Sequence, residues 1–233
     1  MRLAVIPARG GSKRIHKKNI RDFCGKPIIT WSIDAAKKSK LFDKIIVSTD
    51  DEEIAKIAKK NKVEVPFLRP KYLSDDYTET LPVIEHALNW YLKKDYIISD
   101  VCCIYATAPF IRSIDLIKGL ELLNCMNANF CFSVTSYPFP IQRALTLSLD
   151  GRIEMINHSY YSKRSQDLVE HYHDAGQFYW GKTHAWLSKE PIFGKNSVPY
   201  ILPRYRVQDI DTHEDWKQAE IIFKMLSRQK KEK

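Results

Sequence analysis

Two short stretches, far apart in a chain of 233 residues, carry side chains whose types and spacing can do chemistry. Near the N-terminus, Ala8-Arg9-Gly10-Gly11-Ser12-Lys13-Arg14 is followed by Lys17-Lys18-Asn19, and no acid appears before Asp22. Glycines let backbone approach a ligand closely, and the N–H groups of such a loop form a concavity for anions. With Arg9, Lys13, Arg14, Lys17 and Lys18 adding charge, the stretch suits a polyphosphate. A basic surface loop after an edge strand is the bland alternative, and neither the Walker A spacing nor Gly-x-Gly-x-x-Gly is present. Near the other end stands Asp209-Ile210-Asp211. Alternate residues of an extended segment share a face, so the two carboxylates point one way and Ile210 the other. Such a pair suits Mg²⁺, which takes one or two carboxylates together with substrate phosphates. Acids that favour the start of a following helix are the competing reading.

Other candidates are weaker alone. Arg69-Pro70 stands ahead of Thr78 and Thr80, and a guanidinium there offers a fixed fork of donors to a base or carboxylate. Asp75 and Asp76 are adjacent and so point apart; they are expected only to lead into the next helix. Arg143 and Arg164 are natural partners for an anionic sugar. His158, His171 and His173 fit no zinc spacing.

The elements that must position these residues alternate. Strands are expected at 1–7, 44–49, 63–68, 100–105 and 130–135. Helices are expected at 27–39, from Asp51 to about Lys60, at 80–94, after a Ser113 cap, and after Asp211, where Thr212 and Asp215 approximate a capping box. This order predicts an α/β fold with a largely parallel sheet. Ligands of such sheets sit beyond the carboxyl ends of the strands, which singles out Ala8 to Asn19, Asp50, Arg69 to Thr80 and Tyr105 to Arg112. The pattern breaks at Tyr137-Pro138-Phe139-Pro140. A hairpin is expected around Asp150-Gly151, and alternation resumes at Gln177. The segment 137–173, rich in Tyr, His and Arg, reads as an inserted arm with the composition of an interface.

Composition bounds the rest. The net charge of +9 suits an anionic small substrate or a nucleic acid, but no nucleic-acid motif appears. Five cysteines without a spacing framework are expected to be reduced thiols of a cytoplasmic protein. No run is long enough to span a membrane, and the N-terminal apolar run is too short for a signal peptide.

Taken in order, Arg9-Gly10-Gly11-Ser12-Lys13, Lys18-Asn19, Gly25-Lys26-Pro27, Ile46-Val47-Ser48-Thr49-Asp50, Arg69-Pro70, Thr107-Ala108-Pro109 and Asp209-Ile210-Asp211 resemble the stations of the CMP-nonulosonate (CMP-sialic acid) synthetase family. The resemblance runs over nearly the whole chain. Two stations depart from the sialic acid members: Tyr105 stands where they carry a Gln, and Asp174-Ala175-Gly176 where they carry Asn-Gly. Both departures resemble the branch of the family that uses pseudaminic acid.

The resemblance implies a Rossmann-like nucleotide-diphospho-sugar transferase fold, with 1–136 and 174–233 as the nucleotidyltransferase domain and 137–173 as a dimerisation arm. It implies a cytidylyltransferase that joins CMP from CTP to a nine-carbon sugar acid. Ala8, Arg9, Gly10, Gly11, Ser12, Lys13, Asn19 and Arg69 would bind CTP. Thr80, Tyr105, Gln142 and Arg164 would meet the sugar. Asp209, Asp211 and Lys18 would be catalytic, with Asp209 and Asp211 holding Mg²⁺, for which Mn²⁺ substitutes. A homodimer in the cytoplasm, serving flagellin or cell-surface glycosylation, completes the expectation. Sialic, legionaminic and Kdo acids are alternative substrates; a catalytically inactive nucleotide-binding regulator is the alternative of another class.

Overall fold

The apolar run Arg2–Pro7 forms β1, with both faces buried: Leu3 and Val5 enter one core, Ala4 and Ile6 the other. This double burial is what a central parallel strand requires. The chain is described over residues 1–229 in a computed structural model. After β1 comes the cationic loop, then a small ribbon of β2 (Asp22–Phe23) and β3 (Lys26–Pro27), and then α1 (Ile28–Ser39). Next are β4 (Lys44–Ser48), α2 (Glu52–Lys60), α3 (Thr80–Leu92), β5 (Asp100–Ile104), α4 (Ser113–Cys125) and β6 (Phe130–Ser136). The second half adds β7 (Leu145–Leu147), β8 (Ile153–Met155), β9 (Tyr172–Lys182), α5 (Thr183–Leu187), β10 (Ser197–Ile201) and α6 (His213–Gln229).

Six strands make the main sheet in the order β10-β6-β9-β5-β1-β4. The pairs β1/β4, β1/β5 and β10/β6 are parallel, whereas β9 runs antiparallel to both neighbours. Helices α1 and α4 cover one face through Ile29, Ile33, Leu116, Leu120 and Leu123. Helices α3 and α5 cover the other through Ile84, Leu88 and Trp186. A third cluster brings Ile15 of the cationic loop against Phe23, Ile210 and the α6 residues Trp216 and Ala219. It draws the two chemically interesting stretches into one place.

Three local expectations are corrected. The strand expected at 63–68 is reduced to isolated bridges, Ile46 to Glu64 and Thr49 to Leu68; Pro66 has no N–H for a ladder. Ser113 does not cap α4: the Asp115 carboxylate reaches back to the Arg112 N–H at 2.8 Å. Strand β9 starts at Tyr172, ahead of Gln177, and pairs there with Ser136. Elsewhere local chemistry acts as read. Asp51 caps α2 by accepting from the N–H groups of Glu53 and Ile54 at 2.7 and 3.0 Å, and Thr212 and Asp215 cap α6 reciprocally.

Between β6 and β9, the chain forms a separate two-stranded sheet. Its β7/β8 hairpin turns at Gly151, whose φ of 79° is the left-handed region that favours glycine. Leu145, Leu147, Leu149 and Ile153 of this hairpin face solvent.

Candidate active site

The loop after β1 is shaped by what its backbone touches. The Gly10 N–H donates to Asp50 Oδ1 at 2.9 Å, which seats the loop against the start of α2. The fit is tight: a Cβ on Gly10 would lie 2.5 Å from Asp51 Oδ2, whereas one on Gly11 would meet nothing within 4 Å. Buried Asn19 turns inward and donates to the Arg9 carbonyl at 2.9 Å. The amides of Ala8 and Ser12 are used within the protein, by Ser48 O and Gly10 O, both at 2.9 Å. The expectation that backbone N–H groups form the cradle is therefore corrected at Ala8, Gly10 and Ser12. Side chains supply most of its donors. Ala8 itself is core.

Those side chains converge on a cavity of about 230 Å³ lined by Arg9, Ser12, Lys13, Arg14, Lys18, Asn19, Arg69, Thr80 and Tyr105. Lys17 is not among them; it pairs with Glu53 at 2.6 Å. Asp75 and Asp76 do more than lead into α3, which corrects their reading. The Asp75 carboxylate accepts from the Tyr77 and Thr78 N–H groups at 3.0 and 2.7 Å. Asp76 binds Arg9 at 2.6 Å and also pairs with Lys13. One carboxylate thus bridges two cations at the cavity wall, the position an anionic ligand would contest.

Arg69 enters the cavity from the bridge after β4. Its N–H donates to Thr49 O at 2.7 Å and its Nε to Ser74 Oγ at 3.2 Å. Nη2 stands 3.9 Å from Asp50 Oδ1 and is buried with no hydrogen-bond partner. Burial lowers the guanidinium's pKa from its ordinary value, and Asp50 opposes that. An unpartnered buried donor in a cleft is costly, and a ligand carbonyl or phosphate oxygen would satisfy it.

Across the cavity, Tyr105 follows β5 and shares a 2.9 Å hydrogen bond between its hydroxyl and Thr80 Oγ1. Burial raises its pKa. Its ring lies 5.3 Å from that of Tyr179, whose own hydroxyl donates to Asp174 and whose pKa burial pushes far up. Tyr105 also lines a second cavity of about 370 Å³, with His173, Asp174, Gly176, Gln208 and Asp209. Among the described residues, Tyr105 is the one common to the linings of both cavities. Another cavity, of about 350 Å³ and lined by Trp31, Phe223 and residues 109–112 at the end of the stretch after β5, contains none of the residues expected to bind CTP, sugar or metal.

Asp209-Ile210-Asp211 closes the arrangement. Ile210 is buried as expected. Lys18 Nζ donates to Ile210 O at 2.7 Å and stands 3.4 Å from Asp211 Oδ1, which Arg14 also meets at 2.7 Å. Asp209 is open to solvent on one side, but burial on the other, with the charge of Asp211 second, raises its pKa above the usual carboxylate value; Lys18 opposes the rise. Among the described residues, no three His, Cys, Asp or Glu side chains form a ready cage for a metal. Two hard carboxylates beside a cationic cleft nevertheless fit Mg²⁺, whose remaining ligands come from phosphates and water.

Neither of the two cavities that Tyr105 lines includes Gln142 or Arg164. Gln142 Nε2 bonds Val169 O at 2.8 Å and His171 Nδ1 at 3.0 Å, and exposed Arg164 stands 3.7 Å from Asp167. Both belong to the arm. Residues that sequence reasoning missed include Asp76, His173 and Gln208. Only their place at the ends of strands and in loops beside the site pointed to them.

Comparison with known proteins adds independent findings. The family model described as "Cytidylyltransferase" matches residues 3–225. A pseudaminic acid cytidylyltransferase of Campylobacter jejuni is 44% identical over 223 residues, covering 96% of each chain. The post-translational flagellin modification protein B of Campylobacter coli is 34% identical over 235 residues, covering 99% of this chain and 98% of that one. Among solved structures, CMP:2-keto-3-deoxy-manno-octonic acid synthetase complexed with CTP superposes with a TM-score of 0.71 over 96% of this chain and 98% of that one; at 15% identity this likeness concerns the fold.

Proposed function

The chain belongs to the cytidylyltransferase family, and from that premise we propose that it transfers CMP from CTP to the anomeric hydroxyl of a nonulosonic acid, pseudaminic acid, releasing pyrophosphate. The observation that carries this reading is the pair of cavities that share Tyr105, one cationic and one bordered by Asp209. A triphosphate suits the first, and a sugar acid reaching toward its α-phosphorus suits the second. The 44% identity to a pseudaminic acid cytidylyltransferase supports that sugar over its relatives.

The residues divide the work as follows. Arg9 and Arg69 hold the cytidine side, with the free Nη2 of Arg69 meeting a carbonyl or phosphate oxygen and Asn19 fixing the Arg9 backbone. Ser12, Lys13 and Lys18 hold the phosphates beside the loop backbone of Ala8, Gly10 and Gly11. Triphosphate binding displaces Asp76 from Arg9 and Lys13. Thr80 and Tyr105 orient the sugar acid. Its anomeric oxygen forms the new bond to the α-phosphorus, the bond from that phosphorus to the bridging oxygen breaks, and the electron pair leaves on pyrophosphate. Lys18 stabilises the charge that develops there. Asp209, made more basic by its surroundings, receives the hydroxyl proton. Asp209 and Asp211 also hold Mg²⁺, or Mn²⁺ in its place, which when bound supplies charge neutralisation for the triphosphate.

The working unit is a homodimer. The 137–173 arm is its dimerisation element, apart from a nucleotidyltransferase domain of 1–136 and 174–233, and it carries Gln142 and Arg164 toward the neighbouring sugar site. Its outward Leu145, Leu147 and Ile153 support this. No described helix is long and apolar enough to cross a membrane, and a cytoplasmic location, where CTP is made, fits the reaction. The product serves glycosylation of flagellin or another surface glycan, a reading supported by the name of the Campylobacter coli relative.

The test is pyrophosphate release from CTP and Mg²⁺ with pseudaminic, N-acetylneuraminic, legionaminic and Kdo acids offered separately. Turnover with pseudaminic acid is expected. Turnover with N-acetylneuraminate and none with pseudaminic acid would overturn the substrate. CTP binding without turnover of any acid would make the protein a nucleotide-binding regulator.

A further inference from the structure

The segment that bears Asp209 and Asp211 lies between β10 and α6 and belongs to no strand or long helix of its own. Buried Ile210 and the Lys18 bond to its carbonyl hold the far side of it, and one buried residue holds it from ahead. Arg206, in the single helical turn Arg204–Arg206, is 6% exposed, and its guanidinium grips Asp115, which is 1% exposed. Nη1 meets Asp115 Oδ1 at 3.2 Å, and Nη2 meets Asp115 Oδ2 and also Phe110 O, the latter at 3.2 Å. Asp115 accepts in addition from the Tyr200 hydroxyl at 3.1 Å and from the Arg112 N–H at 2.8 Å. The Arg206 backbone is held too: its carbonyl accepts from buried Gln177 Nε2 at 2.7 Å. Gln177 in turn accepts the Tyr105 N–H at 3.0 Å.

Arg206 therefore fastens to Asp115 at the start of α4, to Phe110 in the stretch that starts with Tyr105, and to Gln177 on β9. From Arg206, Asp209 lies within about 10 Å of extended chain. A buried ion pair is weak as a stabiliser, because desolving both charges offsets their attraction. This one even leaves Arg206 Nε buried without a partner. Its geometry nonetheless fixes direction, since a bidentate fork permits one orientation.

We propose that Arg206, clamped by Asp115 and Gln177, is a positioning residue that sets where Asp209 and Asp211 stand relative to Tyr105 and Lys18. This rests on the reading of Asp209 and Asp211 as the metal-binding pair, and its test does not depend on turnover. The variant is Arg206→Met combined with Asp115→Asn in the full chain; it removes both charges and keeps an acceptor for the Arg112 N–H, with the amide NH2 facing the Tyr200 hydroxyl, which can accept. Arg206→Lys is its companion, retaining charge without the fork. Three quantities are measured: amide exchange at 207–211 against that of β5 and β6 without ligand, Mn²⁺ binding by electron paramagnetic resonance with CTP present, and CTP affinity with the divalent metal chelated.

In the paired variant, exchange at 207–211 should accelerate at least tenfold while β5 and β6 stay protected. Mn²⁺ affinity should fall about tenfold, with metal-free CTP affinity within twofold of wild type. Arg206→Lys should fall between wild type and the paired variant. Wild-type exchange at 207–211 overturns the proposal, as does an acceleration spread evenly over the sheet, which would mark a merely structural pair. If the wild type turned over no sugar acid while the local exchange effect stood, the proposed reaction would fail and the positioning role would survive.

Discussion

Adjacent glycines in the cationic loop should respond to alanine with opposite signs. At Gly10 a new Cβ would lie 2.5, 2.9 and 3.1 Å from Oδ2, Cβ and Cγ of Asp51. Asp51 cannot simply turn away, because its carboxylate caps α2 through the N–H groups of Glu53 and Ile54. Losing such a cap costs about 0.5–2 kcal/mol. If the loop shifts instead, it gives up the Gly10 N–H bond to Asp50, worth about 0.5–1.5 kcal/mol. Some of both gives a destabilisation of about 1–3 kcal/mol, in the range of overpacked sites. For a chain of this size that lowers the thermal midpoint by about 2–12 °C. Because the loop moves with respect to Asp50 and Arg69, the KM for CTP should rise as well. At Gly11 a Cβ meets nothing within 4 Å, and its φ is not positive. Gly11→Ala should leave the ligand-free protein unchanged or stabilise it by about 0.4–1 kcal/mol, through the reduced freedom of the unfolded chain. Calorimetry of the two variants without ligand, followed by CTP kinetics, checks the pair. A Gly10→Ala midpoint equal to wild type, or equal losses at both positions, would refute the packing argument.

Three further outcomes are expected. Asp209 titrates above the usual carboxylate value, with burial first and the negative charge of Asp211 second; Asp211→Asn should therefore lower its midpoint, as followed by carboxyl ¹³C NMR of the metal-free protein, and an unchanged or raised midpoint contradicts the coupling. Arg69→Met should raise the KM for CTP about 10- to 100-fold, the worth of a lost charge-assisted bond of about 1.5–3 kcal/mol. The ligand-free protein loses the Nε bond to Ser74, about 0.5–1.5 kcal/mol, and the longer pairing with Asp50, but no hydrogen bond of the buried Nη2; an unchanged KM would place the nucleotide elsewhere. Leu147→Lys with Ile153→Glu should turn a dimer into monomers in sedimentation velocity, because both side chains lie outward on the arm hairpin; a dimer that persists would put the interface on another face.

The parts of this molecule legible from sequence are those with a local cause. Alternating apolar runs marked four of the five expected strands, and the Asp150-Gly151 turn marked the hairpin before any contact was known. The strand at 63–68 failed because Pro66 interrupts a ladder that apolar character alone seemed to support. Spacing singles out Asp209 and Asp211 as a candidate pair and apolarity marks Ile210 as buried, but Lys18 meets Asp211 and the Ile210 carbonyl across nearly the length of the chain. The bridge from Asp76 to Arg9 and Lys13, and the grip of Arg206 on Asp115, follow no spacing rule. They arise from strand order, which a linear pattern of hydrophobicity does not encode. Gln142 and Arg164 illustrate the reverse case: their types were suggestive, yet their own chain keeps them in the arm, outside both cavities.

Strand β9 has a consequence for how the protein comes into being. It fills the slot between β5 and β6, bonded to both, so the sheet without it is two pieces, β10-β6 and β5-β1-β4. A nascent chain that has not yet delivered residues 172–182 holds β5 and β6 with unpaired inner edges, the surfaces on which chains aggregate. The second cavity shares the same dependence, because Asp174 and Gly176 come with β9 and Asp209 comes later still. Synthesis interrupted anywhere before this strand yields no smaller working version of the protein, only an open sheet that demands shelter until its centre arrives.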